Sequence, residues 1–302
     1  MTTPVIGFIG LGAMGLPLAS SLVRNGFTVA GFDINTQQLD RLAQLGARKG
    51  SSVEDVVKGA DIVITVLPAT QHVDAVVLGP NGLLEHMATG SLLMEMSTID
   101  PTCTDRVVAA CEAKGIGFVD APIGRLVSHA ERSESLFMVG GDDEAFARVE
   151  PLLNAMGTSI HRCGKAGMGI RMKLVNNNML LVTAQVVSES LTLGAKMGLD
   201  MDIMKAVCSS TTAQNKQLDV ALNTKVLQGD IEPGFTIDLA HKDIGLAVNA
   251  ANAARIGMPA STAAYATLSS ARGTQYASKD YSALLLYAMD QAGIELPSAG
   301  SS

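Results

Sequence analysis

The sequence predicts an α/β protein: a doubly wound parallel sheet followed by an all-α region that a long interdomain helix enters. Three observations lead there. Short β-branched runs alternate with amphipathic stretches up to about residue 165, a glycine-rich turn follows the first run, and strand-like runs cease beyond Gly167. Strands are expected at 5–9, 28–33, 61–67, 92–96, 117–120, 136–139 and 159–162. Between them, 14–25, 37–45, 101–114 and 143–156 carry apolar residues at helical spacing. From 170 to 193 the chain has neither Pro nor Gly. At 1.5 Å per residue such a helix spans roughly 36 Å, enough to pass from one domain into the next. Gly194 and Gly198 then offer stop signals. Further helices are expected at 202–209, 215–226, 240–255, 260–270 and 282–291. The expected division is a sheet domain over 1–165, an all-helical domain over 166–296 and a flexible tail over 297–302.

Composition narrows the function. With 22 Lys+Arg against 29 Asp+Glu the net charge is −7, which argues against a nucleic-acid surface and leaves room for a small anionic ligand held by a few local cations. Hydrophobic residues at 47 % and charged ones at 17 % can fill a large core, so a disordered chain is excluded. The cysteines at 103, 111, 163 and 208 form no C-x-x-C pair and accompany no metal-spaced His cluster. They read as reduced, mostly buried thiols, with no metal expected. The amino terminus lacks the cationic region of a signal peptide, and no apolar run approaches the roughly 20 residues of a membrane span. A cytoplasmic protein with no membrane partner is the expectation.

Gly10, Leu11, Gly12, Ala13, Met14 and Gly15 fit G-x-G-x-x-G between a strand and a helix, and Asp33 ends the next strand. Gly10 permits the tight turn, Gly12 lets a pyrophosphate approach the backbone, and Gly15 lets helix and strand pack closely. The helix amino terminus turns N–H groups toward phosphates. Asp33 is suited to ribose hydroxyls and would repel a 2′-phosphate, and no Arg or Lys follows in Ile34, Asn35 and Thr36. NAD(H) is therefore expected over NADP(H). The alternative is a glycine turn that binds no nucleotide.

A second constellation opens the long helix. Lys173 and Asn177 stand at i and i+4, with Asn176 at i+3, in a helix otherwise apolar through Ile170, Met172, Leu174, Val175 and Met179. Polar groups in such a setting need a partner. A bound substrate would supply one; a solvated Lys on a helix edge is the bland alternative.

Five motifs then carry a resemblance. They are GFIGLGAMG at the amino end, EMSTIDP over 95–101, VDAPIG over 119–124, the Lys173…Asn177 helix and DLAHKD over 238–243. Over nearly its whole length the chain resembles the β-hydroxyacid dehydrogenases, which include 3-hydroxyisobutyrate dehydrogenase and tartronate semialdehyde reductase. The resemblance implies a Rossmann domain followed by a helical domain, an active site in the cleft, and a homodimer or homotetramer. It implies that Lys173 transfers the proton, that Asn177 helps hold substrate, that Lys242 reaches cofactor and substrate, and that Leu67, Pro68 and Thr98 line the cofactor. Desolvation and a second nearby Lys would lower the pKa of Lys173, suiting it to act as acid in reduction and base in oxidation.

One motif departs from the family. Where most members read D-A-P-V-S-G-G, this chain reads D-A-P-I-G-R-L, so Gly124 replaces a serine and Arg125 a glycine. This variant resembles the sulfolactaldehyde reductases, which implies that Arg125, with Gly124 and Asn176, binds a sulfonate. Five N–H donors and a fixed charge suit such a head group. Arg125 paired with Asp120 or Glu131 is the structural alternative. The expected activity is NADH-dependent reduction of 3-sulfolactaldehyde to 2,3-dihydroxypropane-1-sulfonate. The alternatives are a carboxylate substrate such as 3-hydroxyisobutyrate or tartronate semialdehyde, and a non-catalytic nucleotide-binding module.

Overall fold

Alternation of side chains along each strand builds the first part of the chain. In the computed structural model, which describes residues 3–295, the element order begins β1 (Val5–Ile9), α1 (Gly15–Arg24), β2 (Thr28–Phe32), α2 (Thr36–Ala43), β3 (Arg48–Lys49), α3 (Val53–Val57) and β4 (Ile62–Thr65). It continues α4 (Thr70–Val73), α5 (Leu83–His86), β5 (Leu92–Glu95), α6 (Pro101–Ala113), β6 (Gly117–Asp120), β7 (Ile123–Gly124) and α7 (Val127–Glu131). Then follow β8 (Ser135–Gly140), α8 (Asp143–Met156), β9 (Gly157–Gly164) and the 29-residue α9 (Met168–Lys196). Ile6, Phe8, Ile62, Ile64, Leu92 and Met94 pack one face of the sheet against α1, α2 and α8. Ile9, Val63 and Leu93 pack the other against α3, α5 and α6. Helices thus cover both faces, as doubly wound sheets require.

The strand order is β3-β2-β1-β4-β5-β6-β8-β7, with β9 paired to β8. From β3 to β6 the pairing is parallel, whereas β8 runs antiparallel to β6 and β7. The two-residue strands β3 and β7 were not foreseen, being too short to show a period. The chain leaves β1 toward β2 and returns on its other side as β4, so the order reverses beside β1. In open sheets a crevice for ligands lies at such a reversal, outside the carboxyl ends of the strands.

The chain divides into two compact units, Met1–Lys173 and Leu174–Ser302, so the division falls within α9. The second unit holds the rest of α9 and adds α10 (Met201–Ser209), α11 (Ile237–Ala253), α12 (Pro259–Ala271) and α13 (Leu284–Ala292). Leu181 and Ala184 pack on Ile237, Ile244 and Leu268, while Val187 and Leu191 pack on Met204, Leu285 and Met289. Gly194 does not stop α9. A Cβ there would lie 2.1 Å from Met204 Sδ, so this glycine is where α10 presses against the helix. Gly198, at φ +86°, takes the left-handed turn beyond it. The expected helix 215–226 forms over 216–224, with π hydrogen bonding at Gln217–Leu222, and gives way to a 3₁₀ turn at Val226–Gln228, because Lys225 leaves helical backbone (φ −120°, ψ −101°). Cys103 and Cys111 are buried, Cys163 and Cys208 partly so, and all are free thiols. Among the described residues no helix is long and apolar enough to cross a membrane. The expected tail at 297–302 lies outside the described residues.

Candidate active site

The glycine turn joins β1 to α1 at the sheet's reversal point. Gly10 has φ +93°, and a Cβ there would lie 2.2 Å from the Val66 carbonyl oxygen; one on Gly15 would lie 1.9 Å from that of Gly10. Side chains are excluded at both. At Gly12 a Cβ would meet nothing within 4 Å. There the backbone opens onto free space, and α1 has no side-chain cap on its first N–H groups. That combination fits a dinucleotide pyrophosphate. Asp33 lies beside the turn: its Oδ2 accepts from Leu11 N at 2.6 Å and its Oδ1 from Asn35 N at 2.7 Å. The Ile34 side chain that follows is 95 % exposed.

Two neighbouring loops are tied by a buried carboxyl. Glu95, at the end of β5, accepts from Thr65 Oγ1 on β4 and, at 2.6 Å, from Ser97 N. Ser97 Oγ accepts from Leu67 N at 2.8 Å, so residues 66–68 and 96–98, which include Leu67, Pro68 and Thr98, are fixed to each other. Burial raises the Glu95 carboxyl to about 7 despite its donors, and Asp120 on the adjacent strand adds to the rise.

Asp120 ends β6 and reaches the start of α9. Its Oδ1 accepts from Gly167 N and its Oδ2 from Ile170 N, both at 2.7 Å. Burial raises this carboxyl to about 6 against the pull of those two N–H groups. One turn further along α9, Lys173 donates to the Ile123 carbonyl at 2.6 Å. The ammonium therefore rests on β7, next to Gly124.

Arg125 follows with φ +71°, a left-handed backbone. Its guanidinium donates to the Glu134 carbonyl at 2.5 Å, to Thr158 Oγ1 at 3.0 Å and to Ser159 Oγ at 3.1 Å. These partners are neither Asp120 nor Glu131, the carboxylates considered from sequence. The side chain is exposed and lies over the first residues of β9.

In the second unit, Asn176 and Asn177 join a polar chain. Asn176 Nδ2 donates to Asn177 Oδ1 at 2.9 Å, and Asn177 Nδ2 donates to Asp243 Oδ2 at 2.6 Å. Lys242 Nζ lies 2.9 Å from Asp243 Oδ1. Asn177 and Asp243 are both buried. His241 serves a different set: its ring stacks on Tyr265, bonds Ser269 Oγ at 2.9 Å and accepts from Arg272 Nη1 at 3.0 Å. Burial, and then Arg272, lower its pKa.

Sequence reasoning missed four carboxyl or hydroxyl groups that organise these loops: Glu95, Ser97, Asp120 and Asp243. Each lies inside a motif quoted for another residue. For Glu95 and Asp120 the usable signal was an acidic residue ending an apolar strand, which in a doubly wound sheet falls at the ligand-facing edge; Ser97, beyond β5, and Asp243, within α11, carried no such signal.

The NAD-binding domain of 6-phosphogluconate dehydrogenase matches residues 5–164. The NAD-binding domain of NADP-dependent 3-hydroxyisobutyrate dehydrogenase matches 167–288. The chain is 37 % identical to 3-sulfolactaldehyde reductase of Escherichia coli over 96 % of its length and 97 % of the relative's. It is 36 % identical to the NAD-dependent L-serine dehydrogenase of Pseudomonas aeruginosa, over 92 % of this chain and 95 % of that one. The solved structure of Mycobacterium tuberculosis 3-hydroxyisobutyrate dehydrogenase with L-serine superposes with a TM-score of 0.88 at 31 % identity, covering 95 % of this chain and 99 % of that one. The fold, the nucleotide turn and these likenesses agree: the chain belongs to the 3-hydroxyisobutyrate dehydrogenase family, NAD-dependent oxidoreductases that act on the hydroxyl group of short hydroxyacids.

Proposed function

We propose that the protein interconverts 3-sulfolactaldehyde and 2,3-dihydroxypropane-1-sulfonate with NAD(H). In this reading Lys173 moves the proton at the reacting oxygen, and Arg125 holds the sulfonate. The observation that carries it is the backbone of Arg125. A non-glycine residue at φ +71° costs on the order of 1 kcal/mol, and residues held so cluster at active sites and ligand clamps, although Asn81, Ser133 and Arg255 share the left-handed backbone. The partners that now hold the guanidinium, two hydroxyls and a carbonyl, are neutral. A sulfonate offers charge-assisted bonds, roughly twice as strong as neutral ones. An exposed Arg can exchange one set for the other at little cost.

Lys173 has what a proton carrier needs: an ammonium held at a definite place, with a hydrogen bond to the Ile123 carbonyl that it can release. In reduction it gives its proton to the carbonyl oxygen; in oxidation it takes the hydroxyl proton back. NADH, when bound, supplies the two electrons and the hydrogen that the carbonyl carbon gains. Gly10 to Gly15 would receive its pyrophosphate and Asp33 its ribose, with Leu67, Pro68, Thr98 and Lys242 as further cofactor contacts. Gly124, Asn176 and Asn177 complete the substrate-binding set.

A carboxylate-bearing hydroxyacid is the second reading. Likeness to an L-serine dehydrogenase favours it, as does Leu126, an apolar residue directly after Arg125. Assay of NADH oxidation with sulfonated and carboxylated three- and four-carbon aldehydes separates the two. The sulfonate should give the higher kcat/KM, and a carboxylate that exceeds it would overturn the first reading. Lys173→Ala should lose most of kcat while still binding NADH; near-normal kcat would remove Lys173 from the chemistry.

We also infer a homodimer or homotetramer. Val186, Leu193 and Met197 of the second unit, and Ile203 and Val207 on α10, are exposed apolar side chains of the kind that subunit contacts cover. Light scattering coupled to size-exclusion chromatography should return a multiple of 31.3 kDa.

A further inference from the structure

We infer that Asp120 is a positioning residue for Lys173: by capping α9 from another element, its carboxylate sets where the ammonium stands against the Ile123–Gly124 strand. The inference rests on the reading of Lys173 as proton carrier. It starts from a gap in the helix itself. The residue before Met168 is Gly167, which has no side chain with which to cap the first turn. Asp120 supplies both bonds from the end of β6, one carboxylate oxygen to Gly167 N and the other to Ile170 N.

The approach is too close for any other arrangement. A Cβ on Gly169 would lie 2.2 Å from the Met138 carbonyl oxygen and 2.9 Å from Asp120 Oδ2. One on Gly140 would lie 2.3 Å from Asp120 Oδ1 and 2.8 Å from Gly169 N. The first turn of α9 is thus seated on the strand ends, with the carboxylate between them. Lys173 is three residues beyond Ile170, and its other attachment, the Ile123 carbonyl, is three residues beyond Asp120. Two short rigid segments, each beginning at the carboxylate, therefore meet at the Lys173–Ile123 bond. Moving the cap moves the ammonium.

The charge matters as well as the fit. A carboxylate can serve two N–H donors fully, whereas an amide has only one acceptor oxygen. Facing Asp120 are Glu95 from β5, Arg171 from α9 and Cys163 from β9. Burial raises Asp120 to about 6, so the charged cap is present at neutral pH and is lost on acidification.

Asp120→Asn, assayed by NADH oxidation with 3-sulfolactaldehyde, or with tartronate semialdehyde if that is the better substrate, is the direct test. A misplacement of about 1 Å can cost roughly a hundredfold, so kcat should fall between about tenfold and a hundredfold, with KM for NADH within about twofold. Placed in Lys173→Ala, the same change should cost nothing more. An equal loss in both backgrounds would show that Asp120 does not act through Lys173 and would overturn the inference alone. So would unchanged kcat in Asp120→Asn when Lys173→Ala is inactive. Full activity in Lys173→Ala would instead overturn the reading beneath it. If Asp120→Asn does not fold, Asp120→Glu, which keeps the carboxylate and shifts it by one methylene, should show the same kcat loss. The ratio of kcat for the unmodified enzyme to kcat for Asp120→Asn should fall as pH drops through about 6, where the unmodified enzyme loses its charged cap too; a ratio that does not change with pH would defeat the proposal.

Discussion

In the proposed reading, single side chains carry the choice of ligand. Asp33 already accepts from Leu11 N and Asn35 N, so its carboxylate is held rigidly beside the nucleotide turn. Ile34 next to it is almost wholly exposed and carries no charge. Asp33→Asn combined with Ile34→Arg should therefore raise kcat/KM for NADPH at least about tenfold while lowering it for NADH, because a repulsive carboxylate is replaced by a phosphate-binding cation. Steady-state assays with the two cofactors measure this. Arg125 presents a different balance. Arg125→Gly relieves left-handed strain and removes three exposed hydrogen bonds, so stability should change by no more than about 1 kcal/mol. KM for the anionic aldehyde should nevertheless rise at least about tenfold, as expected when a charge-assisted contact is lost. An unchanged KM would return Arg125 to a purely structural role.

Elements meet through glycines at positions where no side chain fits. Gly194 illustrates the rule inside α9, facing Met204 on α10. Alanine is the better helix former by about 1 kcal/mol, yet Gly194→Ala would drive a methyl into the Met204 thioether. The substitution should destabilise the wild-type background by about 1–3 kcal/mol and stabilise Met204→Ala, where the space is open. Urea unfolding of the four variants reads this reversal of sign directly. Gly10 and Gly15 act likewise between β1, β4 and α1, and Gly140 and Gly169 between the strand ends and α9. The first pair was legible in the sequence because it belongs to a spaced motif. The second pair and Gly194 were not, since their requirement comes from a partner remote in sequence.

At the scale of the whole molecule, buried carboxyls link stability to pH. Glu95 is raised from 4.5 to about 7 by burial. A folded-state pKa above the unfolded value means that the folded protein holds the proton more tightly. Its stabilising contribution is full below the unfolded value and is lost as pH rises through about 7. Asp120 acts in the same direction through about 6. His241, lowered by burial, acts in the opposite direction, so the total slope is a sum of terms. Comparison isolates one of them: between pH 5 and 8, roughly the window that brackets Glu95, the wild type should lose more stability than Glu95→Gln. Equal losses in denaturant titrations at the two pH values would show that the carboxyl stays charged throughout.

By itself the sequence determined the class of fold and the nucleotide turn, because these rest on local periodicity and on residues a few positions apart. Val5 to Gly15 is one strand, one turn and the start of one helix, and its spacing speaks without any distant partner. Tertiary structure alone decided the antiparallel run of β8, the cap that Asp120 gives to α9, the Glu95–Ser97 tie between loops and the hydroxyl partners of Arg125. Each of these joins residues from 12 to 50 apart along the chain, or in the case of Glu95 fixes one loop to another, and hydrogen bonds across such separations leave no period in a sequence. A buried carboxyl and an exposed one are the same letter; only packing tells which of them must find a donor.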